Sequence, residues 1–279
     1  MTTVLITGAS SGIGLASAIA AAEAGYTTVA TVRRPDGDLA IREAAEKAGV
    51  SIDVVSLEVT DPESVDECIR SVIAMHGRLD ALVNSAGVAG ISPTLELSSM
   101  DVLRANMEVN FFGVVAMSRA AMVHLRNARG RLVTISSVRG VIGQPFNEGY
   151  SAAKFAVEGF MEALAPVAAE VGVRVSLIEP AAVLDTAFIT NARPDPAAML
   201  AAAGPYAAAF RAYRGWVETG AIESAQVAAD VAEVVVRTLE DSRPAFRIQT
   251  SDYAQRYVAH KLADPDGSVI QKLTRSWLR

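Results

Sequence analysis

The sequence predicts a single-domain α/β protein built on an open, doubly wound parallel sheet, and three observations carry that prediction. Short β-branched runs recur at Val4–Thr7, Thr27–Val32, Ile52–Leu57, Ala81–Asn84, Arg131–Ser136, Val173–Ile178 and Ala245–Gln249. Between them lie longer segments with helical periodicity, and this alternation is how a chain builds a parallel sheet with helices on both faces. The runs are apolar along their length rather than alternating, so they read as strands buried on both sides. At 279 residues the chain has room for one such sheet and a substrate-covering segment.

The first strand runs directly into Thr7-Gly8-Ala9-Ser10-Ser11-Gly12-Ile13-Gly14, which opens a helix reaching about Gly25. Glycines at such a turn let the backbone approach a pyrophosphate, and free amides at the helix N-terminus favour its charge. Gly8, Ser10, Ser11, Gly12, Ile13 and Gly14 are therefore expected to contact a dinucleotide in a Rossmann-type fold. The second strand ends in Val32-Arg33-Arg34, where an NAD-selective site would carry an acid for the ribose hydroxyls. Arg33 and Arg34 suit a 2′-phosphate instead, which favours NADP(H), while nearby Asp36 and Asp38 keep NAD(H) open.

Tyr150 and Lys154 stand four apart and share one helix face. A phenol titrates near pH ~10, and an adjacent ammonium favours its phenolate. Ser137, thirteen residues before Tyr150, ends the fifth strand, where its hydroxyl can reach the same substrate oxygen. Tyr257 and Lys261 repeat the spacing, but Pro244 occupies the matching upstream position, so that pair reads as a surface feature of a tail helix. The alanine-rich stretch 185–220, broken by Pro194, Pro196, Gly204 and Pro205, is placed to act as a helical lid. Its Phe210, Tyr213 and Trp216 fit pocket lining and plain packing equally. The tail 250–279 has length for two short helices.

Composition removes other classes. With 25 basic and 31 acidic residues, a net charge of −6 and no run of five like charges, neither a nucleic-acid footprint nor a basic membrane patch is present. No apolar stretch approaches the ~20 residues of a membrane span, and the N-terminus lacks a secretory pattern. The single cysteine, Cys68, lies in an apolar i, i+3, i+4 stripe and reads as core; with no disulfide available, a cytoplasmic protein is expected. His76, His124 and His260 show no ligand spacing, so no metal is expected.

Gly8, Gly12, Gly14, Asn84-Ser85-Ala86-Gly87, Asn110, Ser137, Tyr150 and Lys154, in this order over about residues 3 to 185, resemble the classical short-chain dehydrogenase/reductase family. The resemblance implies that Tyr150 is the general acid/base, that Lys154 lowers its pKa and holds the nicotinamide ribose, that Ser137 orients the carbonyl and that Asn110 sustains a water-linked proton relay. It adds Asn84, Ala86, Gly87, Glu58, Val59, Pro180 and Thr186 as cofactor contacts. The stretches 137–140, 145–148 and 154–159, with the tail near 264–268, are similar to the 17β-hydroxysteroid and retinol dehydrogenase branch, which prefers NADP(H) and bulky apolar substrates. Three departures stand out: Pro180-Ala181 replaces the usual Pro-Gly, Thr186 sits one residue late, and Glu58 replaces an aspartate. The expected activity is interconversion of a ketone or aldehyde with an alcohol in a homodimer or homotetramer. A cofactor-sensing protein without turnover, or an isomerase or dehydratase, are the competing readings.

Overall fold

The computed structural model describes residues 2–89, 94–186, 188, 196–223, 226–264, 266 and 268–276. Strands β1 (Thr3–Ile6), β2 (Thr27–Val32), β3 (Asp53–Ser56), β4 (Ala81–Asn84), β5 (Arg131–Ile135), β6 (Arg174–Glu179) and β7 (Arg247–Gln249) pair in the order β3-β2-β1-β4-β5-β6-β7. Every pairing is parallel. The order reverses between β1 and β4, the crevice where doubly wound sheets bind ligands at their carboxyl ends.

Successive side chains of a strand point to opposite faces, and each face has its own core. Leu5, Val29, Leu82, Leu132 and Leu177 pack with Val65, Cys68 and Val72 of α3 (Pro62–His76), Met117, Ala121 and Leu125 of α5 (Gly113–Ala128), and Val157 and Met161 of α6 (Glu148–Glu170). Val4, Ile6, Ala30, Val83, Val133 and Ile178 face the other way. They meet Ala18 and Ala21 of α1 (Gly12–Glu23), Ile41 of α2 (Leu39–Ala48), and Val231, Val235 and Leu239 of α9 (Ala228–Glu240). Cys68 is fully buried, and burial pushes its thiol up to about 12, which makes it a small apolar core residue.

The strand ends differ slightly from expectation, and hydrogen bonding explains the first case. Thr7 leaves the sheet because its hydroxyl accepts the Ser85 and Ala86 amides at 3.0 Å each, tying the turn after β1 to the turn after β4. Between α4 (Met100–Met107) and α5 the helix widens into a π-turn over Glu108–Phe112, a distortion common at functional sites.

Beyond β6 the chain forms α7 (Pro196–Ala202) and α8 (Ala207–Glu223); residues 187 and 189–195 of the expected lid lie outside the described residues. Met199, Ala203, Phe210 and Tyr213 seat these helices on Phe146, so Phe210 and Tyr213 are packing residues. The tail holds the two expected helices, α10 (Asp252–Leu262) and α11 (Ser268–Ser276). Among the described residues no helix is long and apolar enough to cross a membrane.

Candidate active site

A cavity of about 840 Å³ opens at the carboxyl ends of β1, β4, β5 and β6. Its floor is the turn after β1. Gly8 and Gly12 have φ of 68° and 57°, values that L side chains adopt only with strain. A Cβ on Gly8 would lie 2.6 Å from Ala86 Cα, and one on Gly14 would lie 2.3 Å from Gly8 O. Ser11 caps α1 with no side-chain hydrogen bond, which leaves the first amides of that helix open toward the cavity. A bare backbone cradle at an uncapped helix start fits a pyrophosphate, so the residues present suit a dinucleotide.

Ser10, Ser11, Ile13, Arg33, Glu58, Val59, Ala86, Gly87, Pro180 and Thr186 line the same cavity. Two expected contacts do not. Arg34 is absent from the lining, and of the two exposed arginines that follow β2 only Arg33 borders the cavity. Asn84 is buried, and its amide donates to Ser118 at 3.0 Å and Thr134 at 3.4 Å, so it fastens β4 to α5 and β5 rather than facing the cavity. The Glu58 carboxylate accepts from Thr60 N and Oγ1 at 3.2 and 2.9 Å, which folds it back on its own loop. Thr186 packs its methyl over Gly12, where a Cβ would lie 3.1 Å away, while its hydroxyl donates to Val183 O at 3.2 Å. Asp38, one of the two acids that kept NAD(H) open, is paired with Arg42 at 2.5 Å.

Tyr150, Lys154 and Ser137 converge. Tyr150 and Lys154 lie one turn apart on the buried face of α6, and the Lys154 ammonium sits 5.7 Å from the Tyr150 ring centroid. Lys154 Nζ donates to Ile135 O at 2.8 Å, which anchors the lysine to the end of β5. Burial disfavours the ammonium and brings its pKa down to about 8, opposed by Glu158. Burial raises the Tyr150 phenol, while Arg139 and a hydrogen bond with Ser137 pull it down. The Ser137 hydroxyl also accepts the Arg139 amide at 3.1 Å, starting the tight turn Val138–Gly140.

Asn110 sits in the π-turn and is fully buried. It clamps the loop after β4, accepting from Val88 N at 3.0 Å and donating to Val88 O at 2.9 Å. It does not itself line the cavity.

Four cavity residues stand out among those to which sequence reasoning gave no catalytic or binding role. Arg139 and Gln144 follow Ser137, Phe188 lies edge-on to Tyr150 at 5.7 Å, and Tyr257 reaches in from α10. Tyr257 is a correction: it is buried, stacks with Tyr253 at 6.2 Å and faces the cavity, because α10 folds back over the Val138–Gly140 turn. The signal was there in Ala254, Tyr257 and Val258, an i, i+3, i+4 apolar stripe. Trp216 of α8 also lines the cavity, unlike its neighbours Phe210 and Tyr213.

The short chain dehydrogenase family matches residues 2–197. Retinol dehydrogenase 8 of Bos taurus is 35% identical over 99% of this chain and 90% of its own length. Human 17-beta-hydroxysteroid dehydrogenase type 1 is 34% identical over 96% and 83%. A solved short-chain dehydrogenase from Streptomyces avermitilis superposes with a TM-score of 0.78 at 28% identity, covering 99% of this chain and 97% of that one. With the sheet order, the glycine turn and the Ser137, Tyr150 and Lys154 cluster, these matches place the chain in the classical short-chain dehydrogenase/reductase family, oxidoreductases acting on CH–OH groups, within the retinol and 17β-hydroxysteroid dehydrogenase branch.

Proposed function

We propose that the protein interconverts a bulky, largely apolar ketone or aldehyde with its alcohol, using NADP(H), and that Tyr150 moves the proton. The convergence of Tyr150, Ser137 and Lys154 beside a backbone phosphate cradle carries this reading. A bound nicotinamide supplies or accepts the hydride. In reduction, the Ser137 and Tyr150 hydroxyls hold the substrate oxygen. Tyr150, kept protonated at neutral pH by burial, donates its proton as that oxygen gains charge, and the resulting phenolate is stabilised by the Lys154 and Arg139 cations. Oxidation runs the same steps backward from the phenolate. Asn110 holds the Val88 loop in register behind the reacting centre.

Aromatic and aliphatic walls, Phe188, Trp216, Val217, Tyr253 and Tyr257, support an apolar substrate body. Arg33, which borders the cavity where Arg34 does not, supports the 2′-phosphate of NADP(H). A homodimer or homotetramer is supported by the exposed apolar side chains of Phe112, Val123 and Phe160 along the π-turn, α5 and α6.

The test is a titration with NADPH and NADH followed by nicotinamide fluorescence. NADPH should bind more tightly, and Arg33→Ala should weaken NADPH by about 10- to 100-fold, the worth of a charge-assisted hydrogen bond, with little change for NADH. Arg34→Ala should do much less. Equal binding of both nucleotides by the wild type would remove the NADP(H) assignment.

A further inference from the structure

The turn that presents Ser137 to the cavity also presents a cation. Arg139 is the middle residue of the Val138–Gly140 turn, which is pinned at both ends. Ser137 accepts the Arg139 amide at 3.1 Å, and Gly140 packs so closely that an added Cβ would lie 2.8 Å from Ser136 Oγ and 2.9 Å from Glu158 Cγ. The Arg139 side chain is half-buried, lines the cavity and lies 5.8 Å from the Tyr150 ring centroid.

Its surroundings are unusual for a charge in that position. A guanidinium carries five N–H donors, and among the described residues this one makes a single side-chain bond, from Nη1 to Asn147 Oδ1 at 3.3 Å. Among the described residues no carboxylate lies within ion-pair distance of it. The aromatic neighbours that feel its charge are Tyr150, Tyr213 and Tyr257, all pulled toward the phenolate by it and held up by burial. Glu218 lines the cavity too, but it is exposed and bonded to Arg214 at 3.1 Å. A partly desolvated cation without a counter-charge is costly, and an anion brought by a ligand offsets that cost.

A second observation lies beside it. Gln144 lines the cavity and is 7% exposed, and its buried Oε1 has no hydrogen-bond partner among the described residues. A side-chain amide offers an acceptor or a donor according to which way it is turned. The cavity that Phe188, Trp216, Tyr253 and Tyr257 line thus also holds two polar side chains whose bonding capacity the described residues leave open.

We propose that Arg139, assisted by Gln144, is a substrate-recognition site for an anionic group, and that the substrate is an apolar ketone or alcohol carrying a carboxylate a few bonds from the reacting carbon. The inference rests on the carbonyl reductase reading above and narrows its substrate class. A guanidinium grips a carboxylate through two parallel N–H bonds, so the same contact fixes which face of the carbonyl meets Tyr150.

The experiment uses a matched pair, 4-oxo-4-phenylbutanoate and its methyl ester, which share the ketone and the ring and differ in charge. Binding to the NADP⁺-loaded protein is followed by tryptophan quenching, because Trp216 lines the cavity and the oxidised cofactor permits no reduction. Turnover is followed separately with NADPH. The acid should bind at least about 10-fold more tightly than the ester to the wild type. Arg139→Gln should abolish that preference and Arg139→Lys should restore part of it. The comparison is a ratio, so any general effect of Arg139 on Tyr150 or on folding cancels. An acid no tighter than the ester, or a preference that survives Arg139→Gln, overturns the anion site. Binding selectivity of the expected kind with no turnover of either compound would keep the anion site and count against the reductase reading, so the two failures are distinct.

Discussion

Lys154 titrates within reach of ordinary buffers, and that gives the site its expected pH response. Its ammonium is held down to about 8 by burial, so it is mostly charged at pH 7 and loses its proton as pH rises through 8. Ketone reduction needs both the Lys154 charge and the Tyr150 proton. The kcat for reduction should therefore be flat below pH 7 and decline above about 8, measured with NADPH at saturation. In Lys154→Met that break should vanish along with about 100-fold or more of the rate. At this scale the sequence was informative where a residue's role depends on spacing. Tyr150 and Lys154 are joined by one helical turn and Ser137 by a strand end. It was silent where the role depends on which neighbours arrive from distant segments. Arg139 sits two residues from Ser137 in the chain, yet its lack of a carboxylate partner is a property of α6, α8 and α10 packed around it. Arg33 and Arg34 were equivalent as letters, and only the position of the cavity, which Arg33 borders, separates them.

Elements set the cofactor cradle. The turn after β1 and the turn after β4 meet through Thr7, whose hydroxyl takes two amides of the second turn, and through Gly8, which leaves no room for a side chain against Ala86. Gly8→Ala would force a Cβ to within 2.6 Å of backbone at a φ of 68°. It should separate the two turns and weaken NADPH binding by at least about 10-fold, as a strain of a few kcal/mol implies, while far-UV circular dichroism stays near wild type. Unchanged NADPH affinity in a folded Gly8→Ala would mean that the cradle is not the binding surface. The glycine spacing made this turn legible because only glycine satisfies its backbone angles. The π-turn holding Asn110 was not legible, since one widened helical turn leaves no periodic mark in the surrounding apolar pattern. The second Tyr-Lys pair misled for a related reason: α10 returns to cover the site, and no local signal says where a tail helix lands.

Across the whole molecule, the sheet's two apolar faces were readable from short β-branched runs, whereas the strand order β3-β2-β1-β4-β5-β6-β7 came only with the structure, because right-handed crossovers fix the hand of each connection and not which strands become neighbours. Less readable was the charged cluster sealing the β6–β7 end of the sheet. Glu179 is fully buried, accepts from Gln249 at 2.8 Å and lies 3.5 Å from Arg247, which also binds Glu158 and Glu162 at 3.0 and 2.7 Å. Burial pushes Glu179 up to about 7, so the folded state favours its protonated form. A carboxyl whose pKa rises on folding stabilises the protein most at low pH and loses that contribution as pH climbs from its unfolded value through 7. The melting temperature should fall by a few degrees between pH 5.5 and 8, and Glu179→Gln should flatten that slope, as scanning calorimetry would record. An identical slope in the variant would assign the dependence elsewhere.

The central claim is that Tyr150 carries the proton in a nicotinamide-dependent carbonyl reaction. Single-turnover oxidation of NADPH at 340 nm with an apolar aryl ketone, wild type against Tyr150→Phe, tests it most directly. The account predicts ketone-dependent oxidation by the wild type. In Tyr150→Phe the rate should be lower by about 100-fold or more, with NADPH affinity within about threefold, since only a hydroxyl is removed. A Tyr150→Phe protein that reduces the ketone at the wild-type rate would contradict it.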